Sequence, residues 1–460
     1  MNHILLNEYQ RVFRNRLFNL LIFIFSISLI LTTYFGIIHN KKQILAQQEA
    51  QEHVREQWDE RSHSNPHQSA HFGSYAFKPT NILNSIDEGV NSVTGNVIRL
   101  EGHRQNEVMF SEASQSLQIS TFGKLKPSLL LQFLIPLLLI FMSFNSYTEE
   151  RDSGRLKLLL VQGASLQKII TSKIISVWLI GLALLLLTII VQVIFNLTHF
   201  NFDTIFRLIL FFLSYSLYYF ILIGLTILFS VIFKNSTGAL SLTLIIWVLW
   251  VVFLPKIIGN TVEKVQPLPT RMEFQNEMKN DRAKGLDGHN PSALRQDALI
   301  KETLIRYGVD KLSDLPINFR GVLMQADEEY GNSVWDKHFG SLYSTLQKQK
   351  NIYQFSGLIN PFASLQSLSM GTAGTDMFHH LNFLRQAEDY RRKLIKSLNN
   401  KWRDGGWDEV FFKEIKDFKY IVPHFSILMS NYFLDIFFLF LWPIILLFAI
   451  QYSSKKTTIL

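Results

Sequence analysis

Six long apolar runs are the dominant pattern of the sequence. Each contains roughly 20 to 30 residues with very little charge, enough for an α-helix to cross the hydrocarbon core of a bilayer. The runs cover residues 17–38, 127–147, 174–197, 205–233, 239–258 and 432–452. Two long polar segments and a few short connections separate them. The pattern therefore predicts a mainly α-helical membrane protein with six transmembrane helices.

Positive charge marks one side of the predicted bundle. The N-terminal segment, the short connections on that side and the C-terminal tail carry Arg or Lys: Arg11, Arg14, Arg16, Arg151, Arg155, Lys157, Lys168, Lys173, Lys234, Lys455 and Lys456. The short connection on the opposite side, residues 199–204, carries neither residue type. Because Lys and Arg are enriched in cytoplasmic loops, we expect both termini in the cytoplasm (N-in, C-in).

This topology places the two long polar segments outside the cytoplasm. Their helical spacing of apolar residues predicts two largely helical extracytoplasmic insertions, with short β pieces near residues 95–100. We expect residues 41–61 to extend the first span as a stalk. The predicted organisation is an amphipathic N-terminal helix and TM1 at residues 1–38, a first extracytoplasmic domain at 39–126, TM2 to TM5 at 127–258 with a cytoplasmic loop at 146–173, a second extracytoplasmic domain at 259–431, and TM6 with a cytoplasmic tail at 432–460.

Composition narrows the class of protein. Hydrophobic residues make up 48% of the 460 residues and charged residues 18%, which excludes an ordinary soluble enzyme, a disordered chain and a coiled-coil rod. The absence of cysteine excludes a disulfide framework, a cysteine-ligated metal and a catalytic thiol. The net charge of +8 is accounted for by cytoplasmic loops, so we expect no nucleic-acid partner.

The connection between the second and third predicted spans combines dense charge with a short apolar patch. The patch, residues 156–161, is too short to cross a membrane and is flanked by Gly154 and Gly163. This composition suits a helix that lies at the membrane surface and docks on a partner protein. A solvated connector is the alternative that the pattern leaves open. Residues 2–16 form a second short amphipathic segment before the first span.

The order of residue types in this connection resembles the ABC-2-type permease family. An acidic pair, a glycine, a leucine-rich turn and a basic residue opening the next span follow one another here, and the N-terminal amphipathic helix and six spans also fit. The resemblance implies that the loop is the coupling helix that sits on an ATPase subunit. The residues it implies in ATPase coupling are Glu149, Glu150, Arg151, Gly154, Arg155, Lys157 and Lys173.

Longer motifs in the outer segments resemble a subgroup of these permeases that has large extracytoplasmic (periplasmic) domains and an unknown function. They are NPHQSAHFGSYAFKP at 65–79, DEGV at 87–90, GNVIRLEGHRQN at 95–106, LPINFRGVLMQADEEYGN at 315–332 and the stretch 360–392. The residues that carry this extracytoplasmic motif are His67, His71, Gly73, His103, Pro316, Asn318, Gly321, Glu329, Asn360, Pro361, Gly374, Asp376, Glu388, Tyr390 and Arg391.

The resemblance implies a membrane-spanning permease subunit of an ATP-driven ABC transporter, which exports or extracts an amphipathic substrate of the lipid, peptide or polysaccharide class. The sequence has no G-x-x-x-x-G-K-[ST] stretch, whose backbone amides and lysine would hold nucleotide phosphates. We therefore expect ATP and Mg on a separate ATPase subunit, with no catalytic residue and no cofactor in this chain.

The implied surroundings are a bacterial inner (cytoplasmic) membrane, in which the chain is a multi-pass protein. The expected partners are two copies of the ATPase subunit, a second permease that is identical or paralogous, and the lipid bilayer. Two alternative functions stay open. One is a mechanotransmission subunit that drives a periplasmic partner without transport, and the other is a transporter in copper-centre maturation.

Histidines are frequent in the outer segments and raise the question of a metal site. Those of the first outer segment are His53, His63, His67, His71 and His103. His67 and His71 are four residues apart, and imidazole binds copper or zinc. However, Pro66 and Gly73 argue against a regular helix at this point, so we expect histidines that cap turns and no metal site.

An outer-face hydrolase is a further alternative. Ser369, Asp376 and His379 supply the residue types of a nucleophilic triad. No spacing motif supports that geometry, and Asp376 is more simply the N-cap of a long helix. The sequence therefore favours a structural role for these residues.

Charged and proline residues in the remaining motifs have structural interpretations. We expect Arg207 and Asp435, near the ends of two spans, to extend their polar groups to the membrane interface. Glu388, Tyr390 and Arg391 are expected to form intrahelical or interdomain pairs, and exposed pairs of that kind contribute under ~1 kcal/mol. Asn360-Pro361 reads as a helix start.

Overall fold

The computed structural model describes residues 2–60, 65–79, 81–106, 125–197 and 200–456. Within them, six helices are long and apolar enough to cross a membrane: Arg16–Glu60, Pro127–Asp152, Leu166–Phe195, Phe202–Ile232, Ser236–Val265 and Phe433–Lys455. Each overlaps one predicted span. The prediction of a mainly α membrane protein with six transmembrane helices is therefore confirmed. We refer to these helices as spans one to six in chain order.

Six crossings place both ends of the chain on one side of the bundle, which we call the terminal side. The connections between spans two and three and between spans four and five lie there too. The opposite, insertion side carries the two long polar segments. On the terminal side, α1 (Asn2–Arg14) packs against the first and third spans. Asn15 separates it from the first span by accepting the N–H groups of Leu17 and Phe18.

The first span is a single helix, α2 (Arg16–Glu60), of 45 residues. At 1.5 Å per residue it is roughly 65 Å long, about twice the thickness of a bilayer core. Its outer half is therefore the helical stalk that the sequence indicates. The stalk is fixed to the second insertion, because the Trp58 indole donates to the Phe412 carbonyl (3.1 Å) and Arg55 donates to the Ile415 carbonyl (2.5 Å).

The described part of the first insertion is a small α/β unit. Its elements are α3 (Pro66–Phe72), β1 (Ser74–Phe77), a 3-10 turn (Ile82–Ser85), α4 (Asn91–Thr94), β2 (Val97–Glu101) and β3 (Arg104–Gln105). The strands form an antiparallel sheet in the order β1-β2-β3, with Ser74 opposite Leu100 and Phe77 opposite Val97. The apolar face of the sheet packs on the second insertion, where Ile98 and Leu100 share a core with Phe383.

Spans two to five follow the first insertion, and the fourth span is the centre of the bundle. Their elements are α5 (Pro127–Leu129), a π segment (Leu130–Leu134), α6 (Ile135–Ser143), α7 (Thr148–Asp152), α8 (Arg155–Val161), α9 (Leu166–Phe195), α10 (Phe202–Ile232), α11 (Ser236–Val248), a second π segment (Leu249–Phe253) and α12 (Leu254–Val265). The fourth span, α10, is the most buried of the six and packs against α6, α9 and α11.

The second insertion is helical throughout and returns to the sixth span. Its elements are α13 (Arg271–Lys284), α14 (Ser292–Tyr307), a 3-10 turn (Leu312–Asp314), α15 (Phe319–Phe355), a 3-10 turn (Ser356–Leu358), α16 (Pro361–Ala373), α17 (Met377–Asp404), α18 (Glu409–Glu414) and α19 (Phe425–Asn431), followed by α20 (Phe433–Lys456). The long helices α15 and α17 pack side by side. Gly321 permits their contact, because a Cβ there would lie 2.6 Å from the Arg403 nitrogen.

One helix of the second insertion lies inside the transmembrane bundle. Eleven of the 13 residues of α16 are buried, and the helix packs against the fourth and sixth spans. Phe362, Leu365 and Leu368 belong to the same apolar core as the spans. The ring of Tyr432, which opens the sixth span, occupies the space next to Gly371. This wedge helix therefore joins the second insertion directly to the spans.

Candidate functional site

A buried ion triad lies at the terminal side of the bundle. Lys173 is fully buried, and its ammonium nitrogen lies 2.5 Å from a carboxylate oxygen of Glu8 and 2.8 Å from one of Glu150. Both carboxylates are themselves more than nine-tenths buried. The three residues belong to α1, α7 and α9, so a single cation holds three elements together.

A second, more exposed layer of ion pairs surrounds this triad. Glu149 is paired with Arg11 of α1 and accepts hydrogen bonds from Arg155 (3.3 Å) and Asn145 (3.0 Å). Arg151 donates to the Phe233 carbonyl (3.2 Å) in the connection between spans four and five. Helix α7 is thus connected to α1, to α9 and to the next connection on the same side.

The structure brings most of the sequence-predicted coupling residues into this one place. Glu149, Glu150, Arg151, Arg155 and Lys173 all take part in the two layers. Gly154 adopts a left-handed conformation (φ 76°) between α7 and α8, which glycine adopts without steric cost. Lys157 lies exposed on α8.

Sequence reasoning missed the contribution of α1. Glu8 is not named there and Arg11 is used only for the topology, although the two lie one turn apart on an amphipathic helix. The signal available in the sequence was a carboxylate among apolar neighbours, which needs a buried partner when the helix docks.

The outer face of α8 carries exposed apolar side chains. Leu156 is buried against the bundle, whereas Leu158 is 63% exposed and Val161 is 87% exposed. Leucine and valine beside charged residues, facing away from the protein, are typical of a surface that a partner covers. This face, formed by Lys157, Leu158 and Val161, is called the α8 face below.

A buried polar junction lies at the insertion side, where both insertions meet the spans. Ser369 of α16 donates to Asp87 (2.5 Å), and Gln132 of the second span donates to Asp87 (3.2 Å) and to the Tyr215 hydroxyl (3.0 Å). Burial raises the pKa of Asp87, and the hydrogen bonds from Ser369, Gly89 and Gln132 oppose that effect. The DEGV and 360–392 motifs therefore meet here, together with the second and fourth spans.

The predicted N-cap Asp376 is confirmed, and no hydrolase triad is assembled around it. Asp376 accepts the N–H groups of Phe378 and His379 at the start of α17, and its carboxylate also contacts the His379 ring and the Tyr432 hydroxyl. Burial favours the neutral acid, but the neighbouring His379 and Lys350 outweigh it and lower the pKa of Asp376 to about 2. Ser369 bonds Asp87 instead of His379.

Two prolines disturb the hydrogen-bond ladder of spans two and five in the same way. Each π segment, Leu130–Leu134 and Leu249–Phe253, is followed two residues later by a proline, Pro136 or Pro255. Proline lacks an N–H group, so the carbonyl five residues before it loses its donor in the π register. One buried carbonyl in each span is left without a helical partner.

Side chains from other helices satisfy these two carbonyls. The Tyr219 hydroxyl donates to the Leu131 carbonyl (2.9 Å), and the Asn360 amide donates to the Trp250 carbonyl (2.9 Å). Asn360 also caps the wedge helix α16 by accepting the Phe362 N–H (3.2 Å). The Asn360-Pro361 motif is thus a helix start, and in addition it fixes that start to the fifth span.

We expect Asn360→Ala to lower the free energy of unfolding by about 1–3 kcal/mol, because it removes the cap and leaves the Trp250 carbonyl buried without a donor. Denaturant or thermal unfolding of the purified chain in detergent measures this. Tyr219→Phe leaves the Leu131 carbonyl of the second span without a donor, so it should also lower the free energy of unfolding. The exposed Glu329→Ala should stay within ~0.5 kcal/mol of the wild type. An Asn360→Ala protein as stable as that control would contradict the assignment.

Arg391 is the centre of a buried ionic cluster between the two insertions. Its guanidinium binds both oxygens of Glu388 (2.8 Å each), Glu328 (3.0 Å) and the Asn332 side chain (2.7 Å). A further bond reaches the Glu101 carbonyl of β2 (3.3 Å). The expected intrahelical and interdomain pairs are therefore present, but they are buried and not exposed, because Arg391 is only 2% exposed.

The carboxylate opposite Arg391 belongs to Glu328 and not to its neighbour Glu329, the residue predicted from the motif. Burial opposes ionisation of Glu328, but the hydrogen bond with His103 and the charge of Arg391 outweigh it and lower its pKa to about 2. Glu329 points to the other face of α15, where it is exposed and pairs with Lys396 (3.2 Å).

Three histidines of the first insertion lie together beside this cluster. The Nε2 atoms of His67 and His71 are 3.2 Å apart, and one ring nitrogen of each, with one of His103, lies within 4.8 Å of the others. The argument against a helix here is wrong. Pro66 occupies the first turn of α3 and Gly73 is its C-cap, which are the positions that tolerate these residues. His63 lies outside the described residues, and His53 lies on the stalk.

The other motif residues hold backbone positions. Asn318 caps α15 and its own N–H binds the Arg403 carbonyl (2.8 Å), while the Tyr390 hydroxyl donates to the Lys416 carbonyl (2.7 Å). Gly374 ends α16 in the left-handed conformation, and Pro316 lies exposed before α15.

Two charged residues of the spans are also placed differently from the expectation. Arg207 is buried and donates to the Pro423 carbonyl (2.6 Å) and to Asp203 (2.5 Å). Asp435 is buried and accepts from Gln354 (2.6 Å) and Ser367 (2.9 Å). Both side chains are buried against polar groups of the second insertion instead of extending into solvent.

Comparison with known protein families assigns two parts of the chain. Residues 62–267 match the model described as ABC-2 family transporter protein. Residues 271–421 match a domain of unknown function, DUF3526. Together the two ranges cover more than three quarters of the chain. No curated protein matches it. The first match includes residues 149–173, which contain the sequence-predicted coupling residues, and the second includes α16 and Arg391.

Proposed function

Because the chain carries an ABC-2 family transporter membrane domain, we propose that its α8 face receives the movement of the ATPase and passes it through the spans to the two insertions. The chain is a multi-pass membrane permease subunit of an ABC transporter and associates with an ABC ATPase subunit. The observation that carries the proposal is the buried triad around Lys173, which makes α1, α7 and α9 move as one unit.

The terminal side is the cytoplasmic side in this proposal. The positive residues of the short connections lie there, including Arg151, Arg155 and Lys157, and the 196–201 connection on the insertion side has none. The two insertions then lie in the periplasm of a bacterial cell, with the chain in the inner membrane. ATP and Mg are bound by the ATPase, and two ATPase copies serve this chain and a second permease.

Force applied at the α8 face has two routes to the insertions. The first is the stalk of α2, whose outer end is bonded to residues 412–415 of the second insertion. The second is the wedge helix α16, which packs against the fourth and sixth spans and contacts Asp87 of the first insertion. Tilting of the spans therefore changes the position of both insertions.

The substrate class that suits this arrangement is amphipathic. An apolar groove of about 430 Å³ lies between the third and fourth spans near the insertion side, lined by residues such as Leu186, Val193, Leu208 and Phe212. It has the character of a surface for an acyl chain or an apolar peptide side chain. This supports export or extraction of a lipid-like or peptide-like cargo.

The wedge helix favours a second candidate function. Since α16 fixes the second insertion to the spans, ATP turnover can move the insertions without any cargo crossing the membrane. Such a chain would drive a periplasmic partner by mechanotransmission. ATP turnover by the permease–ATPase complex in lipid nanodiscs distinguishes the two functions. Turnover that rises when lipid-like compounds are added supports transport. Turnover raised only by a protein that binds the insertions supports mechanotransmission.

We expect the double substitution Leu158→Glu and Val161→Glu to reduce the amount of ATPase that co-purifies with the chain by about tenfold or more, because it places charge in a contact that must exclude water. Both side chains are exposed, so the thermal unfolding midpoint of the chain alone should not change. Ile305→Glu, an equally exposed apolar residue on α14 of the insertion side, is the matched control. Unchanged co-purification in the double variant would overturn the docking assignment.

A further inference from the structure

The histidine cluster of the first insertion has the spacing of a metal site. His67 and His71 are one turn apart on α3, and their Nε2 atoms are 3.2 Å apart. Two nitrogens bound tetrahedrally at 2.0–2.1 Å from one zinc ion are separated by about 3.3 Å. The observed separation therefore needs almost no adjustment to hold an ion. A third ring nitrogen, from His103, lies within 4.8 Å of the other two.

The backbone imposes this arrangement from two directions. Asn65 caps α3 by accepting the His67 N–H (2.8 Å), which fixes the start of the helix on which His67 and His71 lie. His103 lies in the turn between β2 and β3 at φ 66°, and it is the one non-glycine residue with a positive φ in the described part of the chain. Left-handed conformations of this kind are strained and recur at functional sites.

Residues of the second insertion orient two of the three rings. The His67 ring stacks on Trp402 of α17, with ring centres 4.5 Å apart and an interplanar angle of 12°. The His103 Nδ1 atom lies 3.2 Å from Glu328, which Arg391 holds in turn. A histidine whose second nitrogen contacts a carboxylate is the usual orienting arrangement behind metal-bound imidazoles.

We propose that His67, His71 and His103 bind one divalent transition-metal ion of the zinc type, through one ring nitrogen each. Three imidazoles form a set of borderline ligands that suits Zn²⁺, whereas Mg²⁺ and Ca²⁺ require oxygen ligands and Cu⁺ prefers sulfur. Three protein ligands leave a fourth position for water or another group. His71 is exposed, so an ion can enter from solvent.

The site has a mechanical consequence that goes beyond the proposed function. An ion held by His67, His71 and His103 would join α3 to the turn between β2 and β3. Glu328 and Trp402 would connect it to α15 and α17 of the second insertion. The ion would therefore stiffen the contact between the two insertions beside the ionic cluster of Arg391.

The test is zinc binding by the full-length chain, purified in detergent and stripped with a chelator. Titration with Zn²⁺ against a chromophoric chelator, with elemental analysis after gel filtration, should give one equivalent per chain. His71→Gln and His103→Gln should each weaken that binding by about tenfold or more. His53→Gln, a histidine on the stalk outside the cluster, should bind as the wild type does.

A second measurement protects the test against loss of folding. Co²⁺ in place of Zn²⁺ should give the visible absorption of a four-coordinate site with nitrogen ligands, and His71→Gln should abolish it without changing the unfolding midpoint of the metal-free chain. The proposal fails if the wild-type chain binds no zinc at micromolar concentration. It also fails if the His71→Gln, His103→Gln double variant keeps the full equivalent, since three imidazoles would then only hydrogen-bond to one another.

Discussion

Lys173→Met is expected to destabilise the chain by about 3–5 kcal/mol and to abolish the association with the ATPase. The substitution leaves the carboxylates of Glu8 and Glu150 buried and facing each other without a cation, which is the costly way to break a buried ion pair. Helix α1 should then leave α9, and α7 would lose its fixed position. Thermal unfolding in detergent and the yield of co-purified ATPase measure the two effects.

Two further variants separate the triad from a general effect of losing a lysine. Lys168→Met removes an exposed lysine from the same helix, and its effect should be within ~0.5 kcal/mol. The triple variant Lys173→Met, Glu8→Gln, Glu150→Gln removes all three charges and should recover a large part of the lost stability. If Lys173→Met and Lys168→Met behave alike, the triad does not organise this side of the bundle.

Arg391→Met should also destabilise the insertions, by about 3 kcal/mol, because it leaves Glu328 buried with only the His103 ring and Glu388 with only Arg392. Arg391→Lys should also destabilise the protein. A lysine keeps the charge, but it has no planar fork to bind two carboxylates, the Asn332 side chain and the Glu101 carbonyl together. Unfolding and limited proteolysis of the insertions measure the loss.

The control lies two residues away on the same helix. Lys393 is exposed, and Lys393→Met should leave both measurements unchanged. A wild-type proteolysis pattern for Arg391→Met would mean that the two insertions are held together by their apolar contacts alone, which would contradict the role given to the ionic cluster.

The spans were predictable because a helix in lipid needs a long run of apolar residues, and six such runs stand out. The wedge helix was not predictable in this way. Its sequence, PFASLQSLSMGTA, is 13 residues long and contains three serines, so it reads as a buried helix of a soluble domain. Only its neighbours decide that it packs among the spans.

The buried charges show a different limit of sequence reasoning. Arg207, Asp435 and Arg391 lie in polar or interfacial stretches, where exposed charge is the ordinary expectation. Each is buried because a second segment, more than 60 residues away in the chain, supplies its partner. Glu328 is buried and Glu329 is exposed for the same reason. The packing of α15 against α17 decides which of the two glutamates is covered, and the sequence of α15 alone does not show it.

The coupling residues are predicted by the order of residue types along one loop, and the structure places α1 in contact with them. The argument against a helix at the histidines was wrong because of where its proline and glycine lie. Pro66 begins the short helix and Gly73 ends it, so neither prevents it. Once that helix forms, two histidines four residues apart must share a face.

The most direct test of the account is crosslinking from the α8 face to the ATPase. The sequence contains no cysteine, so Val161→Cys and Ile305→Cys each create a chain with a single thiol. In membranes that contain the co-expressed partner, a short reagent that reacts with a thiol at one end and with a lysine amine at the other should join Val161→Cys to a protein that carries a P-loop, identified by mass spectrometry. Ile305→Cys should give no such product. An ATPase joined through Ile305→Cys, or a chain that purifies alone and forms no adduct through Val161→Cys, would contradict the coupling role of this face.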